Sequence, residues 1–313
     1  MSFTFQDFPA ARDDLRADVL TGLAAHPKAI PPKYFYDEAG CHLFEAICAQ
    51  PEYTLCRTEQ TLMGANLPAI AIALGEVDCI IEPGAGDCTK VRLLLDALRP
   101  THLTVIDIAG GPLAAAAQAV SRDYPQLAVT ALAMDFLSDL EAAGPCLPAG
   151  RRLVYYPGSS IGNFAPDAAT ALLARFRHLA GAEGRLLIGF DLKKDPQRLH
   201  AAYNDDAGVT AAFNLNLLAR LNRELGADFD PARFRHYAFY NPVAGRIEMH
   251  LVSLAEQDVH VAGERFHFAL GETLHTEHSY KFRCDEFSAL ALTAGWQLAG
   301  EWEHEGFAVQ LFR

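Results

Sequence analysis

The hydrophobic positions between residues 77 and 193 alternate between short apolar runs and longer amphipathic stretches. Five runs end in Gly, Asp or a Gly/Ser cluster and are predicted strands: Cys79–Glu82, Leu103–Ile108, Ala128–Met134, Arg152–Tyr156 and Arg185–Phe190. Between them lie helix-like stretches, including Lys90–Leu98, Gly111–Arg122 and Asp167–Leu179. This alternation predicts a mostly parallel α/β sheet with helices on both faces.

The pattern changes after residue 196. An apolar residue at every fourth position from Val209 to Leu225, followed by Gly226, predicts one long helix. Strand-like segments without intervening helices then predict an antiparallel sheet: Arg246–Leu254, Asp258–Val261, Arg265–Leu270 and Thr273–Phe282. A helix at Asp285–Thr293 and a closing hairpin of Trp296–Glu303 and Phe307–Phe312 complete the prediction. We therefore expect a Rossmann-like α/β fold with a C-terminal antiparallel hairpin, plus a discontinuous α+β region.

The composition narrows the class of partner. The 313 residues carry 26 Lys and Arg against 39 Asp and Glu, a formal charge of −13, which disfavours a nucleic-acid partner. The first twenty residues lack the pattern of a secretory signal, and the longest apolar stretch, residues 67–74, is too short to span a bilayer. Seven scattered cysteines without a CxxC pair favour neither a disulfide framework nor a metal cluster. We expect a cytoplasmic protein with a small-molecule substrate and no membrane partner.

A glycine-containing turn follows the first predicted strand of the α/β region. Gly84 and Gly86 allow a tight turn and close approach of a ligand, whereas Thr89 replaces the third glycine of a dinucleotide fingerprint. An NAD-dependent dehydrogenase is therefore disfavoured. Glu82, just before the glycines, suits a cofactor with a cationic amino-acid tail, and S-adenosylmethionine (SAM) carries an ammonium and a sulfonium.

Acidic residues end the next two strands. Asp107 is placed to accept the hydroxyls of a ribose, and Asp135 to accept the adenine amino group while Phe136 packs on the ring. Each acid alone is compatible with ordinary turn chemistry. Their combined positions at the carboxyl edge of one sheet favour SAM as co-substrate, in a reaction that needs no metal.

Longer motifs cover nearly the whole chain. They are residues 31–37 (PPKYFYD), 43–45 (LFE), 51–53 (PEY), 57–59 (RTE), 158–163 (GSSIGN), 202–205 (AYND), 208–214 (GVTAAFN), 246–249 (RIEM) and 276–281 (TEHSYK). With these motifs the sequence resembles the histidine Nα-methyltransferases of ergothioneine biosynthesis, which are class I methyltransferases with an added substrate domain. The resemblance implies trimethylation of the α-amine of L-histidine to hercynine. Together with the change in the strand and helix pattern, it predicts a SAM-binding domain at 58–195 with 283–313, and a substrate-binding domain at 1–57 with 196–282.

The resemblance assigns roles position by position. It implies that Glu277 and Ser279 grip the imidazole, that Asn163 and Tyr203 hold the carboxylate, and that Lys90 contacts the cofactor. The remaining substrate positions that it implies are Tyr36, Phe44, Tyr53 and Gly158. Glu277 and Ser279 are two residues apart on a predicted strand, so their side chains share a face. A carboxylate there suits an imidazole N–H and penalises an apolar ring.

Other interpretations remain open. The aromatic residues are compatible with an ordinary core, and Asn163 with a helix cap. Residues 275–278 (HTEH) look like metal ligands, but on a regular strand His275 and Glu277 face one way and His278 the other, which disfavours a metal. The rival functions are a methyltransferase of the same fold for another amino acid, such as tryptophan or tyrosine, and a non-catalytic SAM-binding regulator.

Overall fold

The computed structural model describes residues 2–8 and 15–313. Within this part of the chain the strands are β1 (Phe3–Asp7), β2 (Lys28–Ala29), β3 (Cys79–Pro83), β4 (His102–Asp107), β5 (Ala128–Ala133), β6 (Arg152–Tyr156), β7 (Arg185–Asp191), β8 (Phe234–Asn241), β9 (Arg246–Ser253), β10 (Gln257–Val261), β11 (Glu264–Phe268), β12 (Thr273–Tyr280), β13 (Leu298–His304) and β14 (Phe307–Phe312).

The α-helices in the same residues are α1 (Leu15–Ala24), α2 (Glu38–Cys48), α3 (Leu55–Leu74), α4 (Arg92–Leu98), α5 (Gly110–Asp123), α6 (Phe136–Asp139), α7 (Pro166–Ala180), α8 (Pro196–Ala202), α9 (Val209–Leu225) and α10 (Cys284–Thr293). Short 3-10 turns occur at Pro32–Phe35, Leu140–Cys146, Ser160–Asn163 and Pro231–Arg233. None of these helices is both long and apolar enough to cross a membrane. Helix α4 begins at Arg92 rather than at the predicted Lys90, because the glycine turn continues through residue 91.

The chain divides into two compact units. The first contains residues 2–8, 55–192 and 282–313, and the second contains residues 15–54 and 193–281. The predicted division assigned 1–57 to the second region, and residues 1 and 9–14 of that range lie outside the described residues. Strand β1 was predicted to belong to the second region. It instead pairs in parallel with β5 and so extends the sheet of the first unit.

The first unit is built on one eight-stranded sheet with the order β1-β5-β4-β3-β6-β7-β14-β13. The strands from β1 to β7 in this order run parallel, whereas β14 is antiparallel to both β7 and β13. Successive side chains of β3 point to opposite faces, and Ile80 and Ile81 are both fully buried, consistent with burial of the sheet on both faces. The predicted α/β fold with a C-terminal antiparallel hairpin is confirmed.

The second unit contains a four-stranded sheet, β2-β12-β9-β8, and a separate β10-β11 ribbon. Helix α9 packs on β8 and β9, and α2 packs on α9. The long helix at Val209–Leu225 ends at Gly226, as predicted, with a left-handed φ of 62°. Strand β8 is absent from the sequence-based prediction, because its aromatic residues occupy both faces and hide the period-2 alternation.

A β-bulge interrupts β12 between His275 and Glu277. His275 pairs with His250 and His278 with Glu248, so both histidines share one face of the sheet, whereas Glu277 pairs with Met249. The prediction that His275 and Glu277 face the same way is therefore wrong. The cause is the extra residue of the bulge, which shifts the alternation by one position.

Candidate functional site

The glycine turn of the first unit places a buried acid at the end of β3. Glu82 is 1% exposed, and its Oε2 atom makes no hydrogen bond with the described residues. Burial raises the pKa of Glu82 well above its usual value, and the nearby Lys90 lowers it in part. A buried carboxylate oxygen of this kind is stabilised by a cationic or hydrogen-bond-donating ligand.

Gly84 and Gly86 adopt left-handed conformations, with φ of 68° and 53°. A Cβ at Gly84 would lie 3.7 Å from the ring of Phe136, so the turn and this ring are neighbours. Phe136 makes an edge-to-face contact with Tyr156, with centroids 6.2 Å apart. The structure thus brings the turn and Phe136 together at the carboxyl edge of the sheet, where open α/β sheets bind ligands.

The two strand-end acids have structural hydrogen bonds. Asp107 accepts the N–H of Gly86 at Oδ2 and that of Ala109 at Oδ1, both at 3.0 Å. Asp135 caps α6 by accepting the N–H of Leu137 at 2.8 Å. Turn chemistry is therefore part of their role, and a carboxylate, with about four acceptor sites, is able to combine such a role with ligand binding.

Lys90 and Gly158 are linked by an acid that the sequence prediction did not single out. Glu59 of α3 is 3% exposed and pairs with Lys90 Nζ at 2.8 Å through Oε2, while its Oε1 accepts the N–H of Gly158 at 2.8 Å. Gly158 has a left-handed φ of 81°, which favours glycine, and a Cβ there would lie 2.7 Å from Lys90 Nζ. The available signal was an acid in the RTE motif on a helix that is otherwise largely apolar.

Asn163 ends the 3-10 turn that follows β6. The next helix, α7, has Ala165 at its N-cap and no side-chain cap, so the structure does not show the capping role for Asn163. In the same loop Ser159 is buried, and its Oγ accepts the N–H of Asp191 at 3.0 Å. Gly158 and Asn163 therefore lie on a loop of the first unit that this hydrogen bond holds to the end of β7.

The second unit contains a pocket of about 300 Å³, counting its open mouth. Its lining combines aromatic and aliphatic residues with one acid: Tyr36, Phe44, Ile47, Tyr53, Ala202, Tyr203, Thr210, Phe213, Met249 and Glu277. Four of the predicted substrate residues, Tyr36, Phe44, Tyr53 and Tyr203, are thus brought together with Glu277.

The aromatic rings of the pocket form a connected set. Tyr36 meets Phe44 edge-to-face at a centroid distance of 5.8 Å, Phe44 lies 6.5 Å from Tyr53, and Tyr53 lies 5.9 Å from Tyr203. Phe213 of α9, absent from the predicted set, contacts Tyr36 and Phe44 at 5.9 and 6.2 Å. Its fourfold apolar spacing indicated only core packing. Ring faces arranged in this way suit an organic cation.

Glu277 is the acid of this pocket. Burial raises the pKa of Glu277 to about 7, and the charge of Lys281 limits the rise. Burial also raises the pKa of Tyr36, with Glu277 as the next contributor, so the two groups are electrostatic neighbours. A carboxylate held among aromatic rings binds a donor N–H strongly, because water competes poorly there.

Ser279 lies on β12 two residues after Glu277 and is 3% exposed. Lys281, 2% exposed, donates from Nζ to Ser279 Oγ at 2.9 Å and to Tyr203 Oη at 3.2 Å. The sequence prediction missed Lys281, although the TEHSYK motif contains it. A buried lysine beside the only acid of the pocket lining is a positioning group for Ser279 and Tyr203.

The strand order of the first unit, with its seven-stranded core β5-β4-β3-β6-β7-β14-β13 and the glycine turn after β3, defines a class I methyltransferase. The sequence model of the family described as "Histidine-specific methyltransferase, SAM-dependent" matches residues 15–313. The chain belongs to this family, and it is a SAM-dependent methyltransferase.

Three relatives are similar over most of this chain. A "Histidine N-alpha-methyltransferase" of Mycolicibacterium smegmatis is 41% identical over 299 residues, covering 94% of this chain and 92% of that protein. A protein of the same description from Mycobacterium tuberculosis is 39% identical, covering 93% and 91%. "Ergothioneine biosynthesis protein 1" of Neurospora crassa is 29% identical, covering 89% of this chain and 32% of that longer protein.

Proposed function

We propose that this methyltransferase uses SAM to trimethylate the α-amine of L-histidine, giving hercynine in ergothioneine biosynthesis. The observation that carries the proposal is the Glu277 carboxylate inside the aromatic pocket of the second unit. The family membership and the names of the relatives support histidine as the substrate. The cytoplasm is the proposed location.

Glu277 and Ser279 are proposed to bind the imidazole. As a carboxylate, Glu277 accepts an imidazole N–H, while Ser279 is placed by Lys281 to bind the other ring nitrogen. Tyr203 is proposed to donate its hydroxyl to the substrate carboxylate. Gly158 and Asn163, which lie in the first unit, remain predicted substrate ligands.

Glu82, Lys90, Asp107, Asp135 and Phe136, with the turn at Gly84 and Gly86, are proposed to bind SAM. The buried Glu82 fits the cationic end of SAM, because its Oε2 atom makes no hydrogen bond with the residues described in the first unit. When bound, SAM supplies a methyl group on a positively charged sulfur. The chain's own contribution is to orient a neutral amine for in-line attack and to exclude water, so we assign no covalent catalytic residue.

The aromatic set is proposed to accept the substrate as its charge changes. Transfer to a neutral amine forms a C–N bond and breaks the C–S bond, and each of the first two products releases one proton before the next transfer. The final product is a quaternary ammonium, which the faces of Tyr36, Phe44 and Tyr53 attract without any hydrogen bond.

Two alternatives are separable by experiment. Tryptophan and tyrosine are less favourable substrates, because an apolar ring face beside Glu277 would leave its carboxylate without a hydrogen-bond partner. For a SAM-binding regulator, no turnover is expected. Mass spectrometry of L-histidine, L-tryptophan and L-tyrosine, each incubated with the protein and SAM, decides among the three. Methylated histidine as the main product supports the proposal, and its absence refutes it.

A further inference from the structure

A polar cluster lies on the sheet face of the second unit opposite to Glu277. Glu248 and His250 are two residues apart on β9, and the register places His275 of β12 directly opposite His250. Each of the three side chains offers one ligand atom, and these atoms lie within 4.8 Å of one another. Among the described residues no other group of three or more His, Cys, Asp or Glu residues is so arranged.

We propose that Glu248, His250 and His275 bind a divalent transition-metal ion, with zinc the metal that this donor set suits best. Two imidazoles and one carboxylate are a zinc donor set that leaves a further position for water. The bulge after His275 creates the site, because it brings His275 to this face together with His278. Bulges of this kind re-aim side chains at functional positions.

The hydrogen-bond pattern of the cluster leaves atoms that can coordinate a metal ion. Glu248 Oε1 is held by Arg246 Nε at 2.9 Å and by Asn241 Nδ2 at 3.0 Å, while Oε2 lies 3.3 Å from His250 Nε2. Buried ring nitrogens of His250 (Nδ1) and His275 (Nε2) make no hydrogen bond with any part of the chain that the structure describes. A metal ion at His275 Nε2 would offset the cost of burying that nitrogen without a partner, and His250 would use Nε2, beside Glu248 Oε2, as its ligand atom.

The geometry requires only a small adjustment. Ligands around a tetrahedral zinc are spaced by about 3.3 Å, a separation that Glu248 and His250 already show. The other distances between ligand atoms are at most 4.8 Å, and rotation of the His275 ring would shorten them. This ring packs on that of His250, with centroids 4.8 Å apart. Arg246 and Asn241 then act as the outer groups that orient Glu248.

The proposed ligands come from two neighbouring strands. Glu248 and His250 lie on β9, and His275 lies on β12. A bound ion would bridge β9 and β12 and stabilise the sheet of the second unit.

The test uses the full chain, freed of metal by a chelator and titrated with zinc chloride in a calorimeter. One strong equivalent is expected for the wild type, weakened at least roughly tenfold in His275→Ala and in Glu248→Gln. The matched control is His267→Ala, because His267 lies in the same unit near two carboxylates, Asp258 and Glu256, but is exposed. This control should bind zinc as the wild type does.

Cobalt substitution identifies the ligands. Nitrogen and oxygen ligands are expected in the cobalt spectrum of the wild type, and a thiolate charge-transfer band would place the ion on cysteine and overturn the proposal. The proposal is also overturned if the wild type binds no zinc. It is overturned as well if His275→Ala or Glu248→Gln, in a form that unfolds normally in chelator, binds zinc as tightly as the wild type. Histidine and SAM are absent from these measurements, so their outcome is independent of the proposed methyl transfer.

Discussion

Lys281, which directly follows β12, donates a hydrogen bond across 2.9 Å to Ser279 of that strand, and both side chains are almost fully buried. The same ammonium reaches Tyr203 and lowers the pKa of Glu277, so one cation organises three groups of the proposed histidine site. This pairing explains how a Ser and a Glu two residues apart can be held in place together. It also makes Lys281 the first residue to test.

Lys281→Met removes the cation without a large change in volume. Because Lys281 lowers the pKa of Glu277, its loss should move the acidic limb of the kcat/KM profile for histidine to higher pH. The Michaelis constant for histidine should also rise, since Ser279 and Tyr203 lose their donor. Lys28→Met is the control, because Lys28 is equally buried in this unit but pairs with Glu272. If the acidic limb of the kcat/KM profile does not move in Lys281→Met, the positioning role of Lys281 is refuted.

Glu277 should make the folded state less stable as the pH rises. Its pKa is about 7 when folded and near 4.3 when unfolded, so the folded state binds the extra proton between these values. Stability from this group is fully present below about pH 4 and is lost as the pH rises through 7. Glu277→Gln should therefore gain on the order of 1–3 kcal/mol relative to wild type between about pH 5 and pH 8.

Denaturant unfolding of both proteins at the two pH values measures this gain. Glu264→Gln serves as the control, since Glu264 is an exposed acid of the same unit. A difference between Glu277→Gln and wild type that does not change with pH would contradict the burial of this charge.

The fold was largely predictable from the chain, and the site only in part. Short apolar runs that end in Gly or Asp, such as Arg152–Tyr156, identified the parallel strands, because burial on both faces leaves continuous apolar sequence. The bulge at His275 was not predictable, since period-2 reasoning assumes a regular strand. Glu59 and Phe213 join their sites through tertiary contacts across long sequence separations, which spacing does not reveal.

Asp107→Ala and Asp135→Ala test the proposed SAM site. Each should weaken SAM binding roughly ten- to a hundredfold, the usual effect of losing a charge-assisted hydrogen bond, with little change in apparent histidine affinity. Asp123→Ala is the matched control, an exposed acid of the same unit that pairs with Arg92. Calorimetry that finds normal SAM binding in both test variants would remove this assignment.

The extent of methylation follows from the aromatic pocket. Monomethyl- and dimethylhistidine should bind at least as tightly as histidine, and excess SAM should drive the product to the trimethyl form. Mass spectra recorded over time report the distribution of products. If only monomethylhistidine accumulates in excess SAM, the aromatic rings of the pocket do not bind the cationic trimethyl product.

Glu277→Ala tests the central claim most directly. Losing a charge-assisted hydrogen bond costs roughly 1.5–3 kcal/mol, so the Michaelis constant for histidine should rise about ten- to a hundredfold with SAM binding unchanged. The preference for histidine over tryptophan and phenylalanine should narrow, because the penalty for stranding the carboxylate disappears. Steady-state rates of the wild type, Glu277→Ala and the exposed control Glu264→Ala on all three amino acids provide the measurement. Glu277→Ala that handles histidine like the wild type, or a wild type that prefers tryptophan, would contradict the assignment of histidine.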